Sequence, residues 1–271
     1  MGKPALRNCG TFAIAMAIGV TAPQIVWATE MTVRTPVSKA APQVYNWTGL
    51  YVGGNLGYGW ARGSDPQFAL VDTTGSGLTA FFNDGGFPVT SVNPQGFIGG
   101  TQIGYNWQSN AFVWGLAADL QASGMKQGST FASVPPAPPS AAGTTTLDRK
   151  IDWFGTIRGK LGFAIQNWLL YGTGGLAYGH IKEDLTFTPT PPTIPIGTGS
   201  NSQTKAGWTV GGGFEYGVDR WSFGVEYLFI DFGRTATAMT FAGYLGAETD
   251  MVSFSSRNTV NVVRALVNYH F

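Results

Sequence analysis

Six ionisable side chains are the first residues here whose type and spacing could do chemistry: Asp119, Arg158, Lys160, Glu215, Glu226 and Arg264. Each falls on the small-residue parity of an alternating segment, and together they are three acids and three bases. Charges gathered in one narrow space are heavily penalised unless they pair. They form either a selectivity ring for solutes or a polar core that plugs the space and sets register, and the plug is the expectation. Glu226 and Arg264, at similar depth on neighbouring segments, are the pair expected first.

Other chemistry fails on context. His180 lies near Glu183 and Asp184, and His270 lies near the C-terminus. A lipid-modifying hydrolase or acyltransferase would need a serine positioned by one of these histidines, and no local pattern supplies it. Gly172-Thr173-Gly174-Gly175-Leu176-Ala177 has the spacing of a dinucleotide fingerprint, but a Pro-rich stretch follows it instead of a helix. Gly155 to Leu161 resembles a phosphate loop that is one spacer short, with Leu161 where a hydroxyl must reach Mg²⁺. Two histidines and one cysteine, Cys9, give a transition metal little to bind. No catalytic, cofactor-binding or metal site is expected.

The elements that must position the six charges are strands. From Thr48 to Trp60, one parity reads Thr, Leu, Val, Gly, Leu, Tyr, Trp and the other is mostly Gly with Tyr51 and Asn55. Successive strand side chains point to opposite faces, so such a segment meets two different solvents. The division recurs in segments beginning near Phe97, Phe112, Ile151, Trp168, Trp208, Trp221 and Val262, which makes eight strands. Gln108–Asn110, Ile165–Asn167 and Val218–Arg220 are short connections, whereas Arg62–Pro94, Met125–Leu147, Glu183–Lys205 and Gly233–Ser256 are long. Strict alternation of short and long predicts an all-β fold: an eight-stranded antiparallel transmembrane β-barrel with short periplasmic turns and long extracellular loops. The Pro-rich pieces Val134–Ser140 and Thr188–Pro195 read as exposed loop.

Composition agrees and excludes rivals. The chain has 39 Gly and only 11% charged residues, against about 7% and about 25% in soluble proteins. A net charge of +1 leaves no basic footprint for nucleic acid. Lys3, Arg7, the apolar run Thr11–Val20 and the small residues of Val26-Trp27-Ala28 read as a secretory signal peptide over residues 1–28. Residues 29–46 read as an extended periplasmic leader, and residues 47–271 as the barrel.

The bulky face is assigned to lipid. A soluble barrel would turn its charges outward, yet the charges share a face with the glycines. An eight-stranded lumen is barely wide enough for side chains, so the small residues belong inside. Trp60, Trp107, Trp114, Trp153, Trp168, Trp208 and Trp221 all take the large-residue parity near strand ends, as two interfacial aromatic girdles require. Unpaired backbone groups cannot sit in hydrocarbon, so the last strand must close on Thr48–Trp60.

Four segments resemble the small outer-membrane β-barrel, porin-like proteins of alphaproteobacteria that include major surface antigens. They are Trp47–Gly59, Thr173–Gly179, Gly224–Gly233 and Val263–Phe271. The terminal Phe271, with Tyr269, Val267 and Ala265 on its face, resembles the end signal presented to the barrel-assembly machinery, with Leu266 where such barrels often carry Gly. The residues thus read as an outer-membrane barrel with lipid as solvent and a structural and surface-presentation role, to which the resemblance adds a porin-like label and at most limited passage of small solutes. A surface binding protein for haem or host molecules and, less well supported, a lipid-modifying enzyme are the rival readings.

Overall fold

The computed structural model describes residues 45–63, 67–71, 92–133, 142–190, 197–242 and 249–271. The signal segment 1–28, nearly all of the leader and the Pro-rich stretch 134–140 lie outside the described residues. The strands are β1 (Gly49–Gly63), β2 (Gln67–Val71), β3 (Gln95–Ser109), β4 (Phe112–Ser133), β5 (Ala142–Ile165), β6 (Trp168–Thr190), β7 (Gly197–Val218), β8 (Trp221–Ala242) and β9 (Thr249–His270). Every pairing is antiparallel, and the sheet closes because β1 pairs with both β3 and β9. The short β2 pairs with the outer part of β9 and continues the line of β1, so nine segments make eight staves.

Asn110, Gln166 and Asp219 open the three short turns with φ of 54°, 55° and 54°. Asn and Asp tolerate this left-handed conformation better than most residues, which is why tight reversals collect them.

The two parities part as the alternation demands. Leu56, Leu116, Ile157, Leu170 and Leu176 are exposed on the outside, while Asp119, Arg158, Glu215, Glu226 and Arg264 are buried inside. Trp107, Trp114, Trp168 and Trp221 stand near the short turns, and Trp60, Trp153 and Trp208 stand toward the other rim, all facing outward. Trp168 packs on Tyr216 at 4.7 Å between ring centroids, Trp221 on Tyr269 at 5.1 Å and Trp208 on Phe229 at 5.4 Å. Between the girdles a strand runs from Trp208 to Tyr216, or from Trp168 to Tyr178. Segments of this length match the ~9–11 residues that cross a bilayer as a tilted strand.

Three expectations are corrected. Three of the four long connections are mostly strand: β4 runs on to Ser133, β5 starts at Ala142, β6 reaches Thr190, and β8 and β9 continue to Ala242 and from Thr249, while most of 62–94 and all of 191–195 lie outside the described residues. Thr188–Thr190 therefore belong to a strand, not a loop. Backbone pairing persists beyond the lipid because Thr- and Ser-rich segments satisfy it equally well in water, where no lipid-facing stripe of large residues marks the strand in the sequence.

Ile151, expected on the lipid face with Trp153, is buried inside. A bulge at Asp152 shifts the pairing from Ile151↔Ile181 to Trp153↔His180 and reverses the parity of β5 beyond it. A second irregularity between Asp231 and Arg234, where Gly233 takes φ 74°, does the same on β8. The last residues of the leader differ as well: Tyr45 is buried with Trp47 against the barrel, while residues 29–44 lie outside the described residues.

Candidate functional site

The lumen is filled in layers. At the short-turn mouth, Tyr45 and Trp47 lie against Val113, Ala164, Leu169 and Tyr171, and Trp47 is fully buried. Their rings are 4.5 Å apart, and both meet the edge of His270 at 5.6 and 5.8 Å. The Trp47 amide is held by Gln108 Oε1 at 2.8 Å. Burial, assisted by the Glu215 carboxylate, pushes the Tyr45 phenol up to about 12, so this plug stays neutral.

Above the plug lies one charge pair. Lys160 Nζ donates to Glu215 Oε1 at 2.7 Å, and its ammonium sits 4.1 Å from the centre of the Tyr171 ring. Ser222 and Asn268 donate to the other Glu215 oxygen at 2.8 and 3.0 Å, and Gln102 donates to Asn268. The carboxylate is thus fully committed to donors, as a buried ion must be.

The next layer is a closed cycle of four ions. Arg158 bridges Asp119 Oδ2 at 2.9 Å and Glu226 Oε1 at 2.8 Å; Arg264 bridges the same Asp119 oxygen at 3.0 Å and Glu226 Oε2 at 2.6 Å. Thr156 donates to Asp119 at 2.7 Å and Tyr171 to Glu226 at 3.1 Å. Two of the contacts are between neighbours, Glu226↔Arg264 on β8 and β9 and Asp119 with Arg158 on β4 and β5. The other two, Arg158 to Glu226 and Asp119 to Arg264, join strands three staves apart. Such contacts are chords across the bore. The cycle is neutral, so it leaves no excess sign to select a permeating ion.

Beyond the cycle the lumen is greasy, contrary to the expectation of a polar filling throughout. Ile98, Met125, Phe154, Leu228, Ile230 and Val262 form its buried layer. Farther out, Arg149 pairs with Glu183 at 2.7 Å, also hydrogen bonds to Ser256, and Thr237 donates to Glu183 at 2.8 Å. This pair was missed because the bulge at Asp152 turns Arg149 inward against the parity of Arg158 and Lys160.

The histidines are separated from each other. His180 faces outward, stacked on Trp153 at 6.2 Å and 6°, beside Thr204 and Ser202, while Glu183 points into the lumen. His270 Nε2 lies 3.1 Å from Ser222 Oγ, a serine the linear sequence does not bring near it. The wiring is not that of a nucleophile: the Ser222 hydroxyl donates to Glu215, and its side chain is buried above the plug. Ser222→Ala is expected to lower unfolding free energy by about 1–3 kcal/mol through the lost hydrogen bond to the buried Glu215 carboxylate, measured by urea titration. Any ester hydrolysis by the preparation should be unchanged.

Of the terminal residues, Ala265, Val267 and Phe271 are exposed on the outer wall and Tyr269 is half-buried there, while Leu266 is buried inside. The Phe271 amide donates to Leu50 O at 3.0 Å, tying the chain end to the first stave.

Comparison with known proteins adds a family. The chain is 34% identical over 253 residues to the 31 kDa outer-membrane immunogenic protein of Brucella melitensis biotype 1, covering 90% of this chain and 92% of that one. It is 30% identical over 138 residues to a 22 kDa outer membrane protein of Rhizobium leguminosarum bv. viciae, covering 51% of this chain and 53% of the other. Among solved structures it is similar to the outer membrane protease OmpT from Escherichia coli, at TM-score 0.44 and 10% identity, over 85% of this chain and 100% of that one. A family model described as the outer membrane protein beta-barrel domain matches residues 33–271. With its closed ring of staves, lipid-facing wall and aromatic girdles, the chain belongs to this family of outer-membrane β-barrels.

Proposed function

We propose that the protein is a closed barrel with a structural and surface-presenting role, passing small solutes to a limited extent at most. The observation that carries this reading is the pair of salt-bridge chords across the bore, Arg158 to Glu226 and Asp119 to Arg264. The apolar layer above and the Tyr45–Trp47 plug below support it. Paired strands also continue about 11 residues beyond the outer girdle, from Trp153 to Ala142 and from His180 to Thr190. At ~3.3 Å per residue, that carries the paired outer ends of β5 and β6 ~35 Å along the strand direction. The name given to the Brucella relative, an immunogenic protein, fits a chain whose hairpins stand above the membrane.

Outer-membrane lipid is the solvent of the wall in this reading, and Ala265, Val267, Tyr269 and Phe271 form the assembly signal read by the barrel-assembly machinery. Projecting hairpins also favour a second role, binding haem or host molecules at the surface. Trimming the hairpins would abolish such binding while the barrel persists.

The test of closure is electrical. Refolded protein in planar bilayers is expected to give no discrete conductance steps, with heat-modifiable gel migration verifying the fold. Steady single-channel currents through the unaltered protein would replace plug with pore.

A further inference from the structure

Immediately above the outer girdle, three lysines stand in directly opposed register on three adjacent strands: Lys126 on β4, Lys150 on β5 and Lys182 on β6. All three have outward parity, one row beyond the stacked Trp153 and His180 rings. Like charges directly opposite one another destabilise a sheet, so a row of three calls for an opposite charge. The protein supplies only part of it. Asp152, the extra residue of the bulge, reaches Lys150 at 2.6 Å and Lys182 at 2.9 Å, and both ammonium-bearing side chains remain about half exposed. Asp148 and Asp184 stand in the next row out, away from the lipid, paired in register and with Ser200 donating to Asp184 at 2.7 Å. The two acids set an outer limit for an anion and Asp152 takes the membrane side between Lys150 and Lys182, so an anion reaches the row through the exposed faces of those two side chains and through Lys126. A groove of about 430 Å³ runs between the two rows.

We propose that Lys126, Lys150 and Lys182 hold the phosphate groups of a phosphorylated saccharolipid in the outer leaflet, the Trp153–His180 stack lying below as the apolar rest for its sugar and acyl portion. The inference requires the membrane orientation of the barrel but not a closed lumen. The height is right for a headgroup, since interfacial aromatic rings mark the edge of the hydrocarbon and one row up is about 7 Å farther along the strand. The geometry is also owed to the bulge. Were Asp152 paired in the ladder instead of bulged, Lys150 would share the inward parity of Arg158 and Lys160, and the row would have a gap at its centre.

The test uses full-length refolded protein in zwitterionic detergent, with bis-phosphorylated lipid A and its dephosphorylated form as probes. Replacing all three lysines (K126Q/K150Q/K182Q) is expected to weaken binding of the phosphorylated probe about tenfold or more, since each basic residue near an anionic surface adds to the attraction. Both proteins should bind the dephosphorylated probe equally weakly, and K126R/K150R/K182R should bind like the wild type. Should the triple glutamine protein lose its heat-modifiable fold, Lys126→Gln alone, at the exposed end of the row, is expected to weaken binding about threefold. Equal binding by wild-type and folded variant protein, or equal affinity of the wild type for both probes, overturns the site. Full displacement by an equimolar amount of inorganic phosphate would assign it to a free anion instead of a lipid.

Discussion

Arg264→Met is expected to cost about 3–5 kcal/mol of unfolding free energy, because it leaves an uncompensated charge within a buried ionic cycle. Arg264 is buried, and its guanidinium bridges Asp119 and Glu226 at 3.0 and 2.6 Å. With it gone, Arg158 alone must serve both carboxylates, and the layer becomes a net anion in a narrow lumen. Methionine keeps most of the volume, so the loss reports charge more than a cavity. The companion is E226Q/R264M, which restores neutrality by leaving Asp119 with Arg158 at 2.9 Å. The double variant should be more stable than Arg264→Met alone, a coupling visible in urea titrations of protein folded into vesicles. A single variant within 1 kcal/mol of wild type, or a double variant that loses the sum of both single losses, would show that the cycle is not a mutually dependent unit.

Gly175→Ala and Gly174→Ala, one residue apart, should differ as sharply as any pair of substitutions in the protein. A Cβ at Gly175 would point inward to lie 2.1 Å from Ile157 O and 2.8 Å from Arg158 Cα, both backbone atoms of the neighbouring strand. Neither can yield without moving β5 beneath the Arg158 guanidinium. A cost of about 2–3 kcal/mol follows, in the range of overpacked interiors, and it should appear as a lower urea midpoint or as slower assembly. A Cβ at Gly174 points to lipid and meets nothing nearer than Thr209 O at 3.6 Å. Gly174→Ala should fall within about 0.5 kcal/mol of wild type, or gain slightly as the unfolded chain loses freedom. Similar losses for both would contradict the assignment of inner and outer faces.

These glycines show how far the alternation can be read. Within the membrane, parity alone separates Gly174 from Gly175, Trp208 from Thr209 and Glu226 from Val225, because lipid and lumen impose opposite demands on consecutive residues. Above the outer girdle that contrast weakens, since the outer face meets water instead of lipid and no longer calls for large apolar side chains. Residues such as Thr144, Thr145 and Thr146 then look like loop although they are paired strand. The candidate site divides in the same way. Glu226 and Arg264 are directly opposed and foreseeable from depth, whereas the chords from Arg158 to Glu226 and Asp119 to Arg264 require the ring to close.

The amino-acid sequence by itself determined the eight-stave barrel, its lipid-facing wall, the aromatic girdles and the six inward charges, because each depends on side-chain period and composition alone. Tertiary structure alone decided which ions meet across the bore, that Ser222 comes to His270, that Tyr45 and Trp47 fill the mouth, and that Lys150 leaves the lumen for the outer wall. The first and third depend on curvature that brings residues from distant staves to one axis, and the second on the β8–β9 register that sets Ser222 opposite Asn268. The last depends on a single extra residue at Asp152, since one inserted position reverses every inward and outward assignment beyond it.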